Sequence, residues 1–201
     1  LANGSLIKAK ASDGSLQGLY SIGGQAAGAA FDGSNIWITA PAANVVRKIR
    51  ASDGTNLGNF AVQAGPRSIA FDGTSIWVAN TTSLTVSRLR ASDGANQGTF
   101  PVPESPREIV FDGSNIWVAC YFQILMRIRP SDGSTSGPFP IIRDVRGATF
   151  DGANLWLGHT YFGQIAKVNA FDPAVSTNVG TGTGSDIGGP VGVRPTAMAF
   201  D

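Results

Sequence analysis

The stretch Phe71-Asp-Gly-Thr-Ser-Ile-Trp-Val-Ala-Asn80 decides the fold, because close variants of it recur along the chain. Four copies of the string Phe-Asp-Gly lie 40, 40 and 39 residues apart, and they begin at Phe31, Phe71, Phe111 and Phe150. A tryptophan follows six residues after each of these phenylalanines, and a second string, Ser-Asp-Gly, recurs with the same period. Self-similarity at a fixed period of about 40 residues is typical of repeat architectures.

Each repeat contains four short runs that are rich in β-branched and aromatic residues. In one repeat the runs are 66–71, 75–80, 85–90 and 98–102. Asp-Gly between two such runs indicates a tight hairpin, because glycine adopts a positive φ without a steric penalty. No stretch shows a sustained apolar period of 3.6 residues, so the sequence predicts essentially no helix. Four antiparallel strands in each unit of about 40 residues predict an all-β chain of β-propeller blades.

The repeats resemble those of the YVTN and NHL β-propellers, a superfamily that includes the streptogramin (virginiamycin B) lyases. The residues that carry the resemblance are Gly65-Pro66, 69–73, 76–80, Val86 and Leu89. The resemblance extends over nearly the whole chain and is specific for the fold. It implies little about activity, because such propellers include binding proteins, scaffolds and enzymes.

The repeat bounds predict a single propeller domain, or a propeller fragment, over residues 1–201. Four complete blades are expected at about 25–64, 65–104, 105–143 and 144–193. One further blade is divided, with 1–24 at one end of the chain and 194–201 at the other. Two interpretations stay open: a five-bladed ring closed by both ends of this sequence, or a segment of a longer array of about six to eight blades.

The composition excludes several classes of function. Charged residues are 14% of the chain, the net charge is +1, and there is one cysteine and one histidine. These numbers exclude a disulfide framework and a Cys/His zinc cluster, and they argue against nucleic-acid binding. No apolar run reaches the roughly 18 residues needed to span a membrane. A charge-poor surface rich in Gly, Ser, Thr and Asn favours an extracytoplasmic location: secreted, periplasmic or at the cell surface.

Residues that recur in every repeat are expected to have structural roles. Most aromatic residues occupy repeated positions, and we expect them to pack between neighbouring blades. Nine basic residues of the third strands and eight aspartates of the Asp-Gly turns also recur, and we expect these to form turns and to pair locally. The Phe-Asp-Gly turns follow strand 1 and the Ser-Asp-Gly turns follow strand 3, so both are predicted on one rim, which we call the turn rim.

Residues that break the repeat are better candidates for function, and three arginines do so on the opposite rim, which we call the arginine rim. Arg67, Arg107 and Arg146 lie four residues before the strand-1 phenylalanine, where other repeats have Ala27 or Thr196. Strand 1 is innermost in a propeller, so we expect the three at the mouth of the channel. Convergent guanidinium groups suit a carboxylate, phosphate or sulfate. In the alternative interpretation they pair with local acids: Glu104, Glu108 or Asp144.

Four aromatic residues lie outside the repeated positions, in two connections between strands 2 and 3. They are Tyr121, Phe122, Tyr161 and Phe162. These connections are predicted on the arginine rim, where exposed aromatic side chains suit a ligand or a protein partner. In the alternative interpretation these side chains cover an apolar gap in the fold.

Asn80, Cys120 and His159 hold equivalent positions at the ends of second strands and complete the candidate set. Histidine is the natural acid or base near neutral pH, and the resemblance implies a funnel histidine working with a divalent metal. The sequence departs from that pattern, since it has one histidine and no glutamate near it. Cys120 is expected to be a small buried apolar residue.

We therefore expect a non-catalytic binding or scaffold propeller without a cofactor or a metal. Its partner, a protein, a glycan or a small anion, would bind on the arginine rim, formed by the connections from strand 4 to 1 and from strand 2 to 3. One alternative is a lyase or lactonase-like hydrolase acting in the funnel, with His159 catalytic and a divalent metal as cofactor. Another is a structural repeat of a surface or appendage protein.

Overall fold

The computed structural model describes residues 4–141, 144–159, 164–174 and 176–180, and it shows a chain made almost entirely of β-strands. Within these residues the one helical element is a short 3-10 turn, Pro41–Ala43. The structure therefore confirms the all-β prediction. The predicted contribution of 194–201 to a divided blade lies outside the described residues.

Within the described residues, the strands form one two-stranded sheet and four four-stranded sheets, all antiparallel. The two-stranded sheet contains β1 (Ser5–Ala9) and β2 (Leu16–Ser21). Each four-stranded sheet uses four consecutive strands in chain order, and we number these sheets as blades 1 to 4. Blade 1 contains β3 (Ala29–Phe31), β4 (Asn35–Ala40), β5 (Val45–Arg50) and β6 (Asn56–Ala61). Blade 2 contains β7 (Pro66–Phe71), β8 (Ser75–Asn80), β9 (Thr85–Arg90) and β10 (Asn96–Pro101).

The remaining two blades repeat this order. Blade 3 contains β11 (Pro106–Phe111), β12 (Ile116–Cys120), β13 (Ile124–Ile128) and β14 (Thr135–Pro140). Blade 4 contains β15 (Val145–Phe150), β16 (Asn154–His159), β17 (Gln164–Asn169) and β18 (Ser176–Gly180). The first strands of successive blades contact one another, β3 with β7, β7 with β11 and β11 with β15. The blades therefore lie side by side with their first strands innermost.

The core lies between neighbouring blades. Between blades 2 and 3, Trp77 and Val86 of one blade pack against Ile116, Val118 and Met126 of the next. Trp77 is completely buried, as are its counterparts in blades 1 and 3. The predicted packing between blades is therefore correct for Trp37, Trp77 and Trp117, whereas Trp156 of blade 4 is only partly buried. Burying a large apolar side chain contributes about 1.5–3 kcal/mol, so these contacts provide much of the stability of the array.

The aspartate of each Phe-Asp-Gly turn binds the tryptophan of its own blade. The indole Nε1–H of Trp77 donates to Oδ2 of Asp72 at 2.7 Å, while Oδ1 accepts from the backbone N–H groups of Thr74 and Ser75. Burial raises the pKa of Asp72, but these hydrogen bonds outweigh it and leave the pKa below its ordinary value. The same indole-to-carboxylate bond joins Trp37 to Asp32, Trp117 to Asp112 and Trp156 to Asp151.

This pairing corrects the prediction that all eight repeated aspartates pair with basic side chains. The prediction holds for the Ser-Asp-Gly turns, whose aspartates form exposed ion pairs with the strand-3 residue three positions earlier. These pairs are Lys10–Asp13, Arg50–Asp53, Arg90–Asp93 and Arg129–Asp132. Backbone contacts such as Ala51 N–H to Ser34 O place both kinds of turn together on the turn rim.

In three of the Ser-Asp-Gly turns, an aromatic ring of the preceding sheet packs against the glycine. Gly94 has a φ of +76°, and a Cβ added to it would overlap the ring of Phe60. Gly54 has the same relation to Tyr20, and Gly133 to Phe100. Glycine is therefore required twice at this position, for its positive φ and for the room it leaves to the ring.

Two other strand-3 basic residues, Lys48 and Arg88, link one blade to the next. Nζ of Lys48 lies 4.9 Å from the ring centroid of Trp37 and donates to the carbonyl of Ala91 at 2.7 Å. Arg88 lies 5.0 Å from the Trp77 ring and donates to the carbonyl of Pro130 at 2.8 Å. Both of these positive charges are thus held between an aromatic face and the carbonyl of a neighbouring blade.

Candidate functional site

The three arginines of the interrupted repeat lie on neighbouring innermost strands. Arg67, Arg107 and Arg146 are the second residues of β7, β11 and β15, which contact one another. Burial lowers the pKa of Arg107, and the positive charges of Arg146 and Arg67 lower it further. The positive charges of Arg67 and Arg146 therefore both act on Arg107, which lies on the strand between theirs.

The three arginines differ in what holds them. Nε of Arg146 donates to Oδ1 of Asp144 at 3.0 Å, and Asp144 is almost fully buried. The guanidinium group of Arg107 lies over the ring of Tyr121, with Cζ 4.7 Å from the centroid. Nε of Arg107 and Nε of Arg67 are buried, and neither has a hydrogen-bond partner among the described residues. Local pairing with an acid, the alternative interpretation, therefore applies to Arg146.

Glu108 lies among the same arginines. Burial raises the pKa of its carboxyl group, against the opposing effects of the Ser68 hydroxyl and of all three guanidinium groups, and the net result is an elevated pKa. Ser68 also accepts a hydrogen bond at 3.1 Å from the backbone of the neighbouring first strand. Three guanidinium groups and two carboxyl groups, those of Glu108 and Asp144, therefore lie in one cluster, in which the basic groups outnumber the acidic ones.

The aromatic pair between β12 and β13 lies beside this cluster. Tyr121 and Phe122 contact edge to face, with ring centroids 4.7 Å apart, and half of the Phe122 surface is exposed. The Tyr121 N–H donates to the carbonyl of Ser105, which joins the connection between strands 2 and 3 to the connection between strands 4 and 1. The other predicted aromatic pair, Tyr161 and Phe162, lies outside the described residues.

The three residues at the ends of second strands are buried. Asn80, Cys120 and His159 pair in register with the first residues of β7, β11 and β15, and each is at most 1% exposed. Burial raises the pKa of Cys120 to about 12, in keeping with its expected role as a buried apolar residue. In the orientation that satisfies both ends of its amide, Asn80 bonds to Ser87 and to the carbonyl of Gln63. These side chains support the rim from beneath and do not line its surface.

Within the part of the chain that the structure describes, no three His, Cys, Asp or Glu side chains come together in a way that could hold a metal ion. Over the same residues no helix has the length and apolar character needed to cross a membrane.

The sequence did not reveal a cleft of about 510 Å³ on the arginine rim, between the connections of blades 1 and 2. Arg67 lies in its wall together with small residues from several connections. The other lining residues are Ala27, Pro41, Ala42, Asn44, Ala64, Gly65, Pro66, Thr81 and Thr82. The wall is fixed at Gly65, whose carbonyl accepts from the N–H and hydroxyl of Thr81 and whose N–H donates to Asn44. No single stretch of sequence contains this set, and only the Gly-Pro pair before Arg67 marked the position.

Comparisons with known proteins bear on the fold. No protein-family model and no curated protein matches the sequence. A streptogramin B lyase structure matches with a TM-score of 0.70 and 20% identity, over 88% of this chain and 61% of that one. The chain has a β-propeller fold. The hydrazine synthase of Kuenenia stuttgartiensis matches with a TM-score of 0.68 and 18% identity, over 77% of this chain and 49% of that one.

These matches confirm the predicted propeller fold and the predicted likeness to the streptogramin lyases at the level of the fold. The identities of 18% and 20% carry no conclusion about activity. The propeller described here spans 49% and 61% of the lengths of the two solved chains.

Proposed function

We propose that this propeller is a non-catalytic binding module that holds an anionic ligand on the arginine rim. One observation carries the proposal: the buried Nε–H groups of Arg67 and Arg107 have no hydrogen-bond partner among the described residues. A buried donor without a partner is unfavourable by about 1–3 kcal/mol, and folded proteins retain few such groups. An anion bound between the two side chains would satisfy both donors.

The neighbouring side chains prepare the arginines for such a ligand. The Arg107 guanidinium group lies over the ring of Tyr121, and Asp144 holds Arg146 by accepting a hydrogen bond from its Nε. Repulsion among the three positive charges is relieved when an anion binds. Arginines whose orientation is already fixed lose little conformational entropy on binding, so more of the charge-assisted hydrogen-bond energy contributes to affinity.

The position of His159 favours binding over catalysis in the funnel. The lyase or hydrolase alternative requires this side chain to reach a substrate, but it is 1% exposed. A catalytic base must come within hydrogen-bonding distance of the proton that it removes, so the strand ends around His159 would first have to open. For the location of the protein we retain the extracytoplasmic proposal, which rests on the composition alone.

Thermal unfolding in the presence of simple anions tests the proposal. Acetate, sulfate and chloride are compared at equal ionic strength for the wild type, the double variant R67A/R107A and the control R90A. Arg90 lies on the turn rim, where it pairs with Asp93. A ligand that binds only the folded state raises the melting temperature. We expect acetate to stabilise the wild type and R90A more than the double variant; equal stabilisation of all three proteins would refute the proposal.

A further inference from the structure

The cleft beside Arg67 provides room for the uncharged part of a ligand whose anionic group binds at the proposed site. Arg67 lines the cleft and also belongs to the arginine cluster, because its charge acts on Arg107 and on Glu108. Arg67 is therefore the residue that the cleft and the cluster share. A ligand that reaches the guanidinium group of Arg67 through the cleft would place its anionic end in the cluster and the rest of its structure between blades 1 and 2.

The charge of the cluster favours a ligand with one negative charge. Asp144 and Glu108 are two acidic groups among three guanidinium groups, so the basic groups outnumber the acidic ones by one. A singly charged carboxylate matches that excess, whereas a doubly charged phosphate or sulfate would place more negative charge beside the partly buried Glu108. A carboxylate also matches the planar fork of a guanidinium group, which can donate two parallel hydrogen bonds to it.

The residues that line the cleft favour a ligand whose uncharged part is small and aliphatic. Pro41, Ala42, Ala64 and Pro66 supply apolar surface, and no aromatic residue lines the cleft, so it offers no ring on which a sugar or a base could stack. Its volume of about 510 Å³ lies within the range of about 300–1,000 Å³ usual for ligand sites, and it is far too small for a folded domain.

Polar groups along the cleft suit a peptide backbone. Thr82 lines the cleft and is exposed, so its hydroxyl group is accessible to a ligand. Asn44 uses its amide oxygen to accept from the backbone of Gly65, which leaves the amide NH₂ group as a donor. A hydroxyl and an amide beside small apolar residues can bond to main-chain groups while the apolar surface accepts small side chains.

We propose that the ligand is the C-terminal end of a peptide, with its carboxylate on Arg67 and its last, small aliphatic residues in the cleft. This inference rests on the proposed function and specifies its ligand. It names a partner chemistry, a free main-chain carboxylate next to aliphatic side chains, that a simple anion site does not require. A sulfated or phosphorylated ligand is the main competing outcome.

Calorimetric titration with a matched pair of peptides tests this inference. The acid is N-acetyl-alanyl-alanyl-valine with a free carboxylate, and its control is the same peptide as the C-terminal amide. We expect the acid to bind at least about tenfold more tightly than the amide, because the amide cannot form the charge-assisted bonds to Arg67. The variant R67A should lose the same preference. Equal binding of the two peptides, or no binding of the acid, would overturn the inference.

A second pair of variants tests the cleft independently of the charge. Ala42 lines the cleft and is exposed, whereas its neighbour Ala43 is equally exposed and does not line it. Phenylalanine at an exposed position should not disturb folding, so A42F should weaken the peptide acid by about tenfold while A43F leaves it unchanged. Equal effects would place the peptide elsewhere and overturn the inference.

The response to acetate separates this inference from the proposed function. Acetate reaches the arginines without needing the cleft, so A42F should still be stabilised by acetate as the wild type is. If acetate stabilises the wild type through Arg67 and Arg107 but the peptide acid does not bind, the peptide inference fails and the anion site stands. If acetate has no arginine-dependent effect, the proposed function itself fails.

Discussion

The two rims of this propeller differ in how far their charged side chains are paired within the fold. On the turn rim, each repeated aspartate has a fixed partner, either a tryptophan N–H or a basic side chain three residues away. On the arginine rim, three cations lie close together, and two of them keep a buried donor without a partner among the described residues. Charge that recurs with the blade is paired within the fold, and we propose that the charge that breaks the period serves a ligand.

The two rims should therefore respond differently to substitution. Changes on the turn rim remove contacts that every blade needs, so they should lower the free energy of unfolding. Changes to Arg67 and Arg107 on the arginine rim remove donors that have no partner among the described residues, so they should leave stability nearly unchanged and affect binding. The following substitutions test that contrast.

Gly94→Ala on the turn rim should have the largest effect. Its Cβ would overlap the ring of Phe60 and would sit on a residue with a φ of +76°. Strain and overpacking together should lower the free energy of unfolding by about 3 kcal/mol, measured by urea denaturation. Gly73→Ala is the matched control, with a positive φ but nothing within 4 Å of the added Cβ, and it should lose about 1 kcal/mol. Equal losses of unfolding free energy in the two variants would show that the ring of Phe60 does not pack on the turn at Gly94.

Asp72→Ala should come next. It removes the acceptor of the Trp77 indole N–H and of two backbone N–H groups, which should lower the free energy of unfolding by about 2 kcal/mol. The control is Asp93→Ala, whose ion pair with Arg90 is about half exposed and should contribute much less. Chemical denaturation of both variants measures the difference. A larger loss in D93A would contradict the assignment of the buried role to Asp72.

A pair of arginines compares the rims directly. Arg88→Met removes bonds to Ser75 and to the carbonyl of Pro130 in the next blade, and it should lower the free energy of unfolding by about 1–2 kcal/mol. Arg67→Met keeps the aliphatic stem and removes one of three repelling charges, so stability should change by less than about 0.5 kcal/mol. Urea denaturation without added anions is the appropriate measurement. A destabilised R67M would show that the fold depends on this arginine.

Glu108→Gln should have the smallest effect, and only through pH. The pKa of Glu108 in the folded protein is raised above its ordinary value of 4.5, first by burial. Its contribution to stability is therefore fully present below the unfolded pKa and is lost as pH rises through the folded pKa. The difference in unfolding free energy, wild type minus E108Q, should fall as pH increases from about 4.5 to 8. A difference that rises with pH would contradict this account.

Much of the fold could be predicted because the same sequence pattern recurs in four repeats. The period of about 40 residues and the Asp-Gly turns gave the strand order, and the repeated tryptophans gave the core between blades. The partner of Asp72 could not be predicted, because the bond to Trp77 spans a hairpin and depends on how the indole rotates. From the sequence alone, Trp77 and a basic side chain were both possible partners of the Asp72 carboxylate.

The site could be predicted only in part, for the same reason. Arg67, Arg107 and Arg146 were found because they occupy one slot of the repeat, and that slot fixes their positions on innermost strands. The burial of His159 was missed, since sequence shows the end of a strand but not which way its last side chain turns. The cleft was missed because its residues come from separate connections.

The most direct test of ligand binding at the arginine rim is an NMR titration of the arginine Nε–H groups with acetate. Arg67 and Arg107 have the unpartnered buried donors, while Arg90 is already paired with Asp93 on the turn rim. We expect the Nε–H resonances of Arg67 and Arg107 to shift with a saturating dependence on acetate, and that of Arg90 to stay in place. Shifts of equal size at all three, or none at Arg67 and Arg107, would contradict the proposed binding site.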